Sequence, residues 1–151
     1  MTTKHQKLWI LAIVVFSFLA MTCRKDIPVP KNKGFEKLFG SWNWVQSSGG
    51  FAGQTITPAT DGYSQTVEFK KNGIYIRYKN GKRTDKMQFT LTEGSSIYTI
   101  GLAYLIKYKN TGPIDKNNTH TIQSVTFGGQ DTLFLRDECY DCYTSIYVKR
   151  K

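Results

Sequence analysis

Residues 63–92 read YSQTVEFKKNGIYIRYKNGKRTDKMQFTLT, and this stretch decides the fold. Three short runs rich in aromatic and β-branched residues are separated by Asn72-Gly73 and Asn80-Gly81. An Asn-Gly step between such runs is a strong hairpin signal, because a type I′ turn needs positive φ at both central positions. The expected strands are therefore 63–70, 74–79 and 82–92, antiparallel in sequence order. In the third, Met87, Phe89 and Leu91 fall on one face and Lys86, Gln88 and Thr90 on the other, the period of a half-buried strand.

The same grammar extends in both directions. Downstream, Glu93-Gly94-Ser95 reads as a turn into a longer strand over 96–108, where Gly101 permits a bend or bulge. A polar loop over 110–118 leads to strands over 119–127, 131–136 and 143–150. Gly128-Gly129 forms a turn and Asp137 to Cys142 a loop between them. Upstream, residues 34–39 suit one helical turn with Phe35 and Leu38 on one side, stopped by Gly40. A strand over 41–47 then places Trp42, Trp44 and Gln46 on one face, and a glycine-rich loop runs from Ser48 to Gly62.

No stretch after Phe35 keeps helical periodicity beyond two turns. The chain thus reads as all-β, with eight antiparallel strands in an up-and-down barrel whose closure removes exposed strand edges. A sandwich of two four-stranded sheets is the rival architecture. One strand face offers Trp44, Phe69, Ile76, Tyr78, Met87 and Phe89 as candidates for a ligand cavity, joined by Val67, Leu91, Leu133, Leu135, Ile146 and Val148. Apolar walls with a few polar groups suit a ligand cup, and the same residues equally suit a filled core.

The N-terminus carries a different message. Lys4 and Lys7 precede an uncharged run from Leu8 to Ala20, and Met21-Thr22 leads to Cys23, followed by Arg24-Lys25-Asp26. This order is that of a secretory signal, and the uncharged run falls short of the roughly 20 residues a spanning helix needs. With Cys23 at the processing point it looks like a bacterial lipoprotein signal, which implies that Cys23 becomes the lipidated first residue. Two or more acyl chains on one cysteine hold a protein firmly to a membrane. Residues 1–22 are thus the expected signal peptide, 23–33 (with Pro28 and Pro30) an extended tether, and 34–151 a single domain. The implied location is the bacterial envelope, with the outer membrane as the expected site.

The chain is basic, with 21 Lys and Arg against 11 Asp and Glu. Arg77, Lys79, Lys82, Arg83 and Lys86 cluster on one hairpin beside Tyr75 and Tyr78. A solvated, edge-protecting hairpin is the favoured reading. On an exported protein, anionic head groups or acidic glycans replace nucleic acid as the partners of such a patch. His120, the sole histidine after the signal, has no nucleophile beside it in Thr-His-Thr, which argues against an enzyme. Cys139-Tyr140-Asp141-Cys142 lacks the βαβ setting of a redox pair and the further ligands of a zinc site. In an oxidising envelope these two cysteines are a candidate local disulfide. Neither metal nor cofactor is expected, and the chain is expected to be a monomer.

Phe39-Gly40-Ser41-Trp42, after a helical turn and opening the first of eight strands, resembles the Gly-x-Trp motif of lipocalin-like (calycin-type) proteins. The resemblance extends to the small bacterial lipoproteins of that type. Its carriers are the Trp-rich strand with Ser-Ser-Gly-Gly (42–50), Thr57-Pro58, the Asn-Gly hairpin (68–78) and the acidic, Cys-containing loop before a Tyr-rich last strand (137–148). It implies that Gly40 and Trp42 form the barrel base, with Trp42 under a basic side chain from near the last strand: Arg136, Lys149 or Arg150. It also implies a non-catalytic carrier of a small hydrophobic or amphipathic molecule. The alternative is an envelope interaction module with a filled core, meeting protein or glycan through its loops.

Overall fold

A computed structural model describes residues 35–110 and 122–151. The signal, Cys23 and the tether lie outside the described residues. A 3₁₀ turn, Glu36–Leu38, precedes β1 (Gly40–Gly49), the short β2 (Gln54–Ile56) and a one-turn helix α1 (Pro58–Asp61). The remaining strands are β3 (Gln65–Phe69), β4 (Ile74–Lys79), β5 (Lys82–Ser96), β6 (Thr99–Asn110), β7 (Ile122–Gly128), β8 (Thr132–Asp137) and β9 (Tyr143–Lys149).

Each strand from β3 to β9 pairs antiparallel with the next, and β1 pairs with both β3 and β9. That double pairing closes an eight-stranded up-and-down barrel, and the two-sheet sandwich is excluded. β2 is an additional short strand on the end of β1, and with α1 it structures the region expected to be a plain loop. The sequence cause of α1 is Thr57-Pro58: the Thr57 hydroxyl accepts from the Thr60 amide, Thr60 Oγ1 accepts from the Thr57 amide, and Pro58 occupies the first turn.

The chain turns at both Asn-Gly steps, but only Asn80-Gly81 is the two-residue turn. At Asn72-Gly73, Gly73 alone has positive φ, and Lys70 pairs with Ile74 around a three-residue loop. Asn80 and Gly81 have φ of 47° and 75°, the left-handed pair that a type I′ turn demands. The expected turn at Glu93-Gly94-Ser95 does not form, because β5 runs on to Ser96 and the chain reverses at Ile97-Tyr98. Gly94 serves close packing instead: a Cβ there would lie 2.9 Å from Leu105 Cδ1. The bulge anticipated at Gly101 is present, since Ser95 pairs with Leu102 but Ser96 with Thr99. This hairpin tip packs on the β8–β9 loop, where both Ser96 Oγ and the Ile97 amide donate to Glu138 and Tyr98 donates to the Cys139 carbonyl.

Two further bulges set which side chains point inward. Opposite Arg77 and Tyr78, β5 carries an extra residue, Thr84, so that Tyr75 pairs with Met87 and Arg77 with Asp85. In β1 the extra residue is Val45, and Ser47 rather than Gln46 turns inward. A one-residue shift sends every later side chain to the other face.

The base of the barrel is closed by Trp42, which has no exposed surface. Its indole Nε1 donates to the Leu38 carbonyl at 2.7 Å, tying the 3₁₀ turn across the opening. Lys149 is the basic residue over the ring, with Nζ 4.2 Å from its centroid and donating to the Phe39 carbonyl at 2.6 Å. Gly40 has φ +119°, and a Cβ there would meet Lys149 Nζ at 3.0 Å, so this base needs glycine two residues before the tryptophan. Val67, Phe69, Phe89, Ile106 and Leu133 pack above it as a core.

Candidate functional site

Above that core the barrel is not filled. A cup of about 250 Å³ opens at the end opposite Trp42, between the upper halves of the strands. A ladder of rings leads up into it: Phe89 meets Phe69 edge-on at 5.4 Å, Phe69 meets Tyr75 at 5.1 Å, and Tyr75 meets Tyr108 at 5.0 Å. On the β1 side Trp44 stacks on Tyr63 at 5.5 Å, and Lys79 Nζ lies 3.7 Å over the Tyr63 ring. Tyr143 and Tyr147 complete the aromatic wall.

The polar groups of the cup are organised in short chains. Trp44 Nε1 donates to Ser47 Oγ at 2.9 Å, and Ser47 shares a 2.7 Å hydrogen bond with Ser145. Gln65 Nε2 donates to the Tyr147 hydroxyl at 3.1 Å. Tyr108 donates to Gln123 Oε1 at 2.8 Å, and Gln123 Nε2 donates to Asp137 Oδ1, also at 2.8 Å. On the far wall Arg77 Nε donates to Asp85 Oδ2 at 2.6 Å, and Thr84 Oγ1 donates to the same oxygen at 2.8 Å.

Burial governs how these groups ionise. Tyr75, Tyr108 and Tyr147 all have their phenols pushed up by desolvation, Tyr147 to about 12, so each remains a neutral hydroxyl across the physiological range. Burial also acts against the charges of Arg77 and Asp85. Their mutual hydrogen bond, the Thr84 bond to Asp85 and the surrounding charges together outweigh it, raising the guanidinium further and holding the carboxyl below the usual range.

The cavity candidates divide three ways. Trp44 and Met87 line the cup. Phe69 and Phe89 belong to the packed core beneath it. Ile76 and Tyr78 lie on the outer face of β4, not in the cup. They pair with Glu68 and Lys86 and with Thr66 and Arg83, respectively, and the inward places belong to Tyr75 and Arg77. Ile146 and Val148 likewise face outward on β9, and Tyr143, Ser145 and Tyr147 face in. The cup is therefore far more polar than the apolar list implied. The one sequence signal for this was the second parity of β4 and β9, tyrosines alternating with Arg77 and Ser145.

Of the remaining candidates, Gly40 and Trp42 sit at the base, and Cys139 and Cys142 are joined as a disulfide with their Cα atoms 5.6 Å apart. His120 lies outside the described residues. Of the basic hairpin residues, Arg77 reaches the cup and Lys79 its rim. No protein-family model matches this chain, and comparison with curated proteins and with solved structures returns no match.

Proposed function

We propose that this is a lipid-anchored envelope protein whose barrel binds a small amphipathic molecule without transforming it. The observation that carries the reading is the cup itself: an open, ring-walled space over a closed base, with donors and acceptors set at fixed heights. Sites of this kind combine apolar surface with a few placed polar groups that orient a ligand. The polarity of the wall moves the expected ligand from purely hydrophobic to amphipathic. Phe35, the first described residue, packs into the core, so the chain enters the barrel at its closed base.

Native mass spectrometry of the full chain in detergent, before and after solvent extraction, tests the binding. The expected result is a small bound mass that extraction removes and that quenches Trp44 fluorescence when restored. The anchor is tested by Cys23→Ala, which should abolish fatty-acid labelling and release the chain from the membrane fraction.

A second reading, an interaction module, has its own observation. The β5–β6 tip and the disulfide loop leave Ile100, Leu102 and Tyr140 largely uncovered. A clean apoprotein with no small-molecule binding favours that module.

A further inference from the structure

The two walls of the cup carry groups of opposite charge. In the closed ring, three strands separate β4 from β8 in either direction, so these two strands stand diametrically opposed. Arg77 projects into the cup from β4 and Asp137 from β8. On the β4–β5 side Arg77 and Lys79 line the space with the carboxylate of Asp85, and Asp61 lies beside Tyr63, whose ring is under Lys79. On the β8 side the one side-chain partner of Asp137 among the described residues is the neutral Gln123.

Both groups also keep unused bonding capacity. Arg77 spends Nε on Asp85, and its two terminal amino groups bond no described residue. Asp137 is 9% exposed and spends Oδ1 on Gln123, while Oδ2 has no partner among the described residues. No wholly enclosed side-chain nitrogen or oxygen among the described residues lacks a partner, and both residues line the cup.

We propose that the cup takes a small zwitterion, an ω-amino acid or a molecule of the same charge pattern, with its carboxylate on Arg77 and its ammonium group on Asp137. This rests on the binding role proposed above. A guanidinium with free amino groups presents the planar fork that matches a carboxylate. The Tyr75 hydroxyl, beside that wall, adds a neutral donor, and the rings of Trp44 and Tyr108 take the body of the ligand between its charged ends. A ligand with one charge would cover the opposite wall group and leave its remaining polar atoms without a bond to the ligand or to water, which is costly. The volume lies just below the range of drug-sized pockets, which limits the body to a single ring or a short chain.

The test is a matched series titrated calorimetrically into the full chain in detergent: para-aminomethylbenzoate, para-methylbenzylamine, para-methylbenzoate and para-methylbenzyl alcohol. A second set uses ω-aminohexanoate, hexylamine, hexanoate and hexanol, to vary the separation of the charges. In at least one set the zwitterion should bind about tenfold tighter than either singly charged analogue, the size of one charge-assisted hydrogen bond. Asp137→Asn should erase its advantage over the acid, and Arg77→Gln its advantage over the amine. Arg77→Lys, which keeps the charge beside Asp85, should retain part of it. If alcohols or singly charged compounds bind as tightly as the zwitterions in both sets, the charge pattern is refuted and the cup still binds. If no member of either set binds, and no small mass accompanies the purified chain, both proposals fall.

Discussion

Raising the pH should unfold this barrel through three phenols. Tyr75 and Tyr147 are buried and Tyr108 is partly buried, and desolvation makes all three resist ionisation, whereas in the unfolded chain they release protons near the ordinary value of about 10. The folded state then binds more protons than the unfolded one, so stability is intact below about pH 10 and falls above it. Each phenol costs about 1.4 kcal/mol per pH unit, so three remove about 4 kcal/mol per unit beyond pH 11. The Tyr147 contribution levels off at about 12, where its folded form also ionises. Integrated to pH 12 the loss is about 8 kcal/mol, comparable with the roughly 5–15 kcal/mol that hold an ordinary domain together.

Phenolate absorbance followed beside circular dichroism reads this directly. Of the nine tyrosines, three should ionise late and together with loss of the β spectrum. Tyr147→Phe should lower the slope of stability against pH by about a third, whatever it does to stability at neutral pH. Ionisation of all nine together near pH 10, with the β spectrum persisting to pH 12, would show that burial of these phenols does not limit alkaline stability.

Lys149→Met should lower the urea midpoint by the equivalent of about 1–3 kcal/mol, since it removes the cation over Trp42 and the bonds to the Phe39 and Lys37 carbonyls. An unchanged midpoint would show that the base closes without it. At the acid end, Asp85 is held below its unfolded value, so its stabilising share is present above about pH 4 and disappears as pH falls through the lower folded value. Asp85→Asn should flatten that part of the acid-unfolding curve, as measured by denaturant titrations at several pH values. Gly49→Ala should cost about 2 kcal/mol or more in the same assay, because φ is +145° and a Cβ would sit 2.1 Å from the Cys142 carbonyl oxygen.

The barrel was legible where local chemistry is decisive. Asn80-Gly81 fixes a turn by itself, Gly40 and Trp42 mark a base that needs a glycine beside a lysine, and Gly101 marks a bulge. The cup was harder to read for one physical reason. A two-residue turn at Asn80-Gly81 with regular pairing sets Ile76 and Tyr78 on the same face as Met87 and Phe89. Thr84 breaks that register by one residue and replaces them with Tyr75 and Arg77. Thr84 makes the bulge favourable by bonding the Arg77 carbonyl and Asp85, contacts that arise only once the strands meet. Val45 does the same to β1 and β9 with no residue cue at all. Hydrophobic alternation located both strands, and it could not say which parity faced the interior, because Ile146 and Val148 are apolar on the outside.

The proposed binding requires that the unfilled space above the Trp42 base hold a ligand. Ser145→Phe puts a ring into that space from β9 while leaving the base and the β-pairing backbone untouched. Measured by native mass spectrometry beside circular dichroism, it should give a folded barrel that has lost the extractable small mass of the unsubstituted chain. The same mass retained at the same occupancy would contradict the account.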